Sequence, residues 1–132
     1  MIPPASKLRL ARPTSDMAAA RRFYVDGLGL AVLGSFENHQ GFDGMMLGFT
    51  GSTAHLEITR DRAGGPLPPP SPEDLIVFYI EARGAWDDAV QRMVAAGFPP
   101  VPSSNPYWDI DGATFADADG FRLVLQNARS RY

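Results

Sequence analysis

Apolar and polar residues alternate over KLRLAR (7–12), as a short strand requires when side chains point to opposite faces. From Met17 the period changes. Ala20, Phe23, Tyr24 and Leu28 recur at helical spacing through MAAARRFYVDGLGL, with Asp16 placed as N-cap and Gly29 as the stop near the C-cap. Three strand-like runs follow: LAVLGSFE from Leu30, MMLGFT from Met45 and AHLEIT from Ala54. Gly41 to Gly44 and Gly51-Ser52 carry the turn chemistry between them. The first half therefore reads βαβββ.

The second half repeats that order. LIVFYIE from Leu75 is rich in β-branched and aromatic residues, and a helix follows from about Ala85 to Ala96. That helix carries Trp86, Ala89, Val90, Met93 and Val94 on one face, with Gly97 as its stop. FPPV, GATFADA and FRLVLQN supply three more short strands, and Asp119-Gly120 occupies a hairpin turn. The two copies are offset by roughly 66 to 68 residues, an internal duplication.

Between them lies GGPLPPPSPED (64–74), with five prolines that cannot donate a backbone hydrogen bond. The pattern predicts an α+β fold in one domain, residues 1–132. Two tandem βαβββ modules form a curved mixed sheet around a groove, with the helices on the outer face. Module one covers about 5–62, the linker 63–73 and module two about 74–128.

Composition narrows the chemistry. The chain has 132 residues, 45% of them apolar, enough for one real core. There are no cysteines, which excludes disulfides, thiolate nucleophiles and Cys-based metal sites. A net charge of −3 and scattered basic residues, apart from Arg129 and Arg131 near the end, give no surface for nucleic acid. No apolar run is long enough for a membrane span or a secretion signal, so a cytoplasmic protein without membrane or nucleic-acid partners is expected.

In STAHLEITRDR (52–62), strand alternation points Leu56 and Ile58 to the core and puts His55 and Glu57 together on the opposite face. Anchored on Glu57, the same alternation turns Arg9 and Ala11, Val77 and Tyr79, and Arg122, Val124 and Gln126 toward the groove. In the loop SSNPYWDIDG (103–112), Tyr107 and Trp108 are candidates to stack on a flat ligand or to cover the core. No phosphate-binding glycine loop or nucleophile elbow is present.

DMAAARRFYVDGLGL resembles the first helix of the vicinal oxygen chelate superfamily, which includes glyoxalase I, extradiol dioxygenases, and fosfomycin and bleomycin resistance proteins. FADADGFRLVLQ is similar to the end of that superfamily's second module, so the resemblance spans the chain. It implies a divalent metal held by residues from the first and last strand of each module, usually His and Glu. Glu57 matches one of these positions, but Arg9 (or Leu10), Leu75 and Val124 occupy the other three. Guanidinium, leucine and valine offer a metal no donor.

A divergent, metal-free member without cofactor is expected, in which Arg9 pairs with Glu57 in place of a metal charge. The resemblance then implies a small-molecule-binding protein that sequesters an antibiotic or aromatic metabolite, working as a homodimer. The ligand set would be Arg9, His55, Glu57, Tyr79, Tyr107, Trp108, Arg122 and Val124. The alternative is a lyase or isomerase, with Glu57 or His55 as general base and Arg9 stabilising an anion.

Overall fold

The computed structural model describes residues 1–132. Strands β1 (Leu8–Pro13), β2 (Ala31–His39), β3 (Phe42–Gly48) and β4 (Ala54–Asp61) form one sheet in the order β1-β4-β3-β2. Helix α1 (Met17–Arg21) packs on it. Its N-terminus is capped as the sequence predicts, the Asp16 carboxylate accepting from the Ala19 amide.

After Arg21 the helix widens into a π-helical stretch, Arg22–Gly27, which buries Phe23 and Tyr24 completely. Gly27 packs tightly here. A Cβ on it would stand 2.7 Å from the Met93 sulfur, so a side chain here would have to push the thioether of Met93, on helix α2 (Arg83–Ala95), out of its place in the core. Gly29, at φ +77°, ends the helix in the left-handed region.

The second sheet has three strands, β5 (Leu75–Tyr79), β6 (Gly112–Ala116) and β7 (Arg122–Gln126), in the order β5-β7-β6. The expected α+β class and tandem modules stand, with one strand fewer than the repeat predicts. FPPV contributes only an isolated bridge between Val101 and Thr114. Prolines at 99, 100 and 102 lack the amides that a ladder would need. In place of a further strand, the 103–112 loop makes a single helical turn, α3 (Tyr107–Ile110). In the first module, β3 begins earlier than expected, because Asn38, Gln40 and Gly41 take up positive φ and place the turn there.

One core joins the modules. Phe23 stacks edge-on with Tyr24 and with Phe98 from the second half, and Leu56 and Ile58 share a cluster with Phe115, Leu123 and Leu125. Polar ties reinforce this. Buried Arg12 donates to the Tyr24 hydroxyl (3.3 Å) and to the Arg122 carbonyl (3.1 Å), while the Tyr24 hydroxyl donates to Asp117 (2.7 Å).

Burial, together with the Asp117 carboxylate, pushes the Tyr24 phenol above its ordinary range. Burial likewise raises Asp117, partly offset by hydrogen bonds from Tyr24 and from the Phe121 and Asp119 amides. Thr14 closes the same seam with a 2.7 Å bond to Asp119. No helix is long and apolar enough to cross a membrane.

Candidate functional site

Parallel pairing of β1 with β4 sets Arg9 beside His55 and Ala11 beside Glu57. Since Leu56 and Ile58 are drawn into the core, His55 and Glu57 are left on the opposite face with Arg9. The guanidinium bridges both. Its Nε donates to His55 Nε2 at 2.9 Å and its Nη1 meets Glu57 Oε2 at 3.2 Å. Accepting at Nε2 requires a neutral imidazole with its proton on Nδ1. Across the sheet, Met46 lies opposite Glu57 and Gly48 opposite His55, so this face is open and partly apolar.

The second module does not mirror it. Val77 and Tyr79 pair in register with Val124 and Gln126 of β7, and Thr114 and Gly112 pair with the same two residues from the other side. Val124 does not line an open groove as the alternation predicts: it is fully buried, with Thr114 and Gln126 beside it. The physical reason is α3. The Trp108 carbonyl lies so close to Gly112 that an added Cβ would come within 2.5 Å of it, with Val124 against the same point. Arg122 turns away and donates to the Pro102 carbonyl at 3.0 Å. Tyr107 stacks edge-on against Trp108 at 5.0 Å and stays exposed, as does Tyr79.

The expected ligand set is therefore divided. Arg9, His55 and Glu57 meet on the first sheet, Tyr79 and Tyr107 stand on the second, and Arg122 and Val124 are engaged in packing. Between the modules runs an apolar cleft of about 330 Å³, lined by Leu8, Leu10, Phe49, Ile76 and Phe78 and reaching His55. Sequence alternation missed this cleft, because it assigns Leu8 and Leu10 to a covered core face. In the structure they are exposed at the free edge of the sheet.

Two family models cover most of the chain: the YycE-like N-terminal domain over residues 8–59 and the YycE-like C-terminal domain over 73–127. The uncharacterized protein YycE of Bacillus subtilis (strain 168) is 38% identical over 125 residues, 95% of this chain and 90% of that one. The chain belongs to the YycE-like family. The crystal structure of a YycE protein of unknown function from Bacillus subtilis superposes on this YycE-like chain with a TM-score of 0.88 at 37% identity, covering 96% of this chain and 92% of the other. Glyoxalase I of Leishmania major shares the fold at a TM-score of 0.70 and 21% identity, over 91% and 84% of the two chains. With fosfomycin and bleomycin resistance proteins also among its structural neighbours, the YycE-like chain has the vicinal oxygen chelate fold.

That fold implies a divalent metal, and the donor set of this YycE-like protein does not fit one. The His55 lone pair and a Glu57 oxygen already accept from Arg9, whose own nitrogens have none to give. Nowhere do three His, Asp or Glu side chains converge. A separate charged cluster that sequence reading passed over lies at the β2–β3 turn. There Asp43 bridges Arg60 (3.0 Å) and Arg62 (2.8 Å). Hydrogen bonding from Arg62 and from the Asn38 amide holds its carboxyl well below the usual range.

Proposed function

We propose that this protein binds a small amphipathic molecule without a metal, on the first-module face and in the cleft beside it. The supporting observation is an apolar cleft of about 330 Å³ at the free β1 edge, lined by Leu8, Leu10 and Leu56 from the core-side face and reaching His55, whose partners Arg9 and Glu57 lie on the opposite face of the same sheet. The cleft has the size and lining of a drug-sized pocket. It would take the aromatic or aliphatic body of an antibiotic or metabolite, with the polar end passing the β1 edge at His55 toward Arg9.

Sequestration is favoured over turnover because both candidate bases already accept hydrogen bonds from Arg9. While that bridge stands His55 has no lone pair left for a substrate proton, and Glu57 has one of its two oxygens engaged. A homodimer belongs to the same reading. The outer edges of β1 and β5 have no strand partner within the chain, which leaves their backbone to pair with a second copy.

A thermal-shift screen of aromatic antibiotics and metabolites tests this. A true ligand at 100 times its Kd adds about 2.7 kcal/mol and raises Tm measurably. The gain should survive chelator treatment and shrink in Arg9→Met. Stoichiometric metal that is lost in Glu57→Ala, or turnover in a glyoxalase assay, would overturn the proposal.

A further inference from the structure

A second cavity, of about 390 Å³, lies on the other module between β5, α3 and the C-terminal segment. Its floor is Gln126. This side chain is only 3% exposed, and its Oε1 has no hydrogen-bond partner although buried acceptors are nearly always paired. The register explains the location. Gln126 sits on the central strand, flanked by Tyr79 on β5 and by Gly112 on β6, where the missing side chain leaves it room.

The walls are aromatic and cationic. Tyr79 and Tyr107 line the cavity and are both exposed, 47% and 57%, so each presents ring surface to it although Tyr107 also meets Trp108 edge-on. Arg129 and Arg131 line it from the C-terminal segment, against a single carboxylate, Asp111. All four ion pairs of the molecule lie elsewhere, so both guanidiniums are free to meet an anion. The segment that carries them is held at its root. The Asn127 amide donates to the Asp111 carbonyl at 2.7 Å, and its side chain donates to the carbonyls of Ile80 and Glu81.

We propose that this cavity is a binding site for a small aromatic carboxylate carrying a hydroxyl or amino group. The ring lies against Tyr79 and Tyr107, the carboxylate meets Arg129 and Arg131, and the hydroxyl or amino group hydrogen-bonds the Gln126 side-chain amide at the cavity floor. The site shares no residue with the first-module cluster and goes beyond the function proposed for it. Each ligand feature answers one feature of the cavity, so removing either polar group from the ligand weakens binding.

The full chain, isotope-labelled, is titrated with para-hydroxybenzoate, benzoate and phenol and followed by amide chemical shifts. Saturable shifts are expected for para-hydroxybenzoate in β5, α3 and residues 126–131. Benzoate and phenol should each bind about tenfold more weakly or worse. The double variant Arg129→Gln/Arg131→Gln should lose about tenfold in affinity for para-hydroxybenzoate, and since both side chains are exposed, the fold is retained. Gln126→Leu should abolish the advantage over benzoate. If it fails to fold, the double arginine variant still decides. No saturable shifts, phenol binding as well as para-hydroxybenzoate, affinity unchanged in the double variant, or shifts centred on β1 and β4 would each overturn the proposal.

Discussion

The two modules share an element order and treat the same sheet face in opposite ways. In the first, the face away from the helix stays open and keeps a cation, an imidazole and a carboxylate in mutual contact. In the second, the loop that would otherwise precede another strand coils into α3 and seals most of the face, leaving Thr114, Val124 and Gln126 inside. Duplication therefore conserves the scaffold more strictly than the surface. A face can be closed by one helical turn, provided a residue without a side chain, here Gly112, lets that turn settle.

The sharpest way to break the comparison is to charge the sealed face. Val124→Glu restores the residue type that the superfamily resemblance leads one to expect, but buries a carboxylate without a partner. It should cost about 3 kcal/mol or more, read as a lower urea midpoint at unchanged m-value. A loss below about 1 kcal/mol would mean that this face opens freely.

A smaller effect is expected from Gly112→Ala, whose Cβ must displace the Trp108 carbonyl. We expect about 2 kcal/mol of destabilisation, with Trp108 more accessible to a fluorescence quencher. The smallest belongs to the open face. Arg9→Met removes a pair in which the arginine side chain is 49% exposed, and unfolding free energy should change by no more than about 1 kcal/mol. Equal losses for Val124→Glu and Arg9→Met would abolish the distinction between the faces.

Much of this was legible in the sequence. Alternation in HLEIT places His55 and Glu57 together, and the Asp16 and Gly29 signals bound the first helix, because each is a local rule about side-chain direction or backbone torsion. Alternation also finds that Val124 shares a face with Tyr79, but cannot say whether that face is wet. Its burial depends on how residues 103–112 fold back, a non-local event. PYWD carries no periodic signal, and the prolines around it say only that a ladder fails. The polar seam of Arg12, Tyr24 and Asp117 was invisible for a similar reason, since its partners are up to 110 positions apart.

That seam also fixes an order of events during folding. Arg12 and Thr14 have local partners in Tyr24 and Asp16, but their remaining bonds go to residues 119–122, so the seam is incomplete until nearly the whole chain is available. Until then a guanidinium and a phenol destined for the interior remain hydrated, and the apolar side of the first sheet lacks its cover. Closure across such a span raises contact order and slows the final step. On a ribosome, the first half must wait in a loosened form for the last hairpin to emerge.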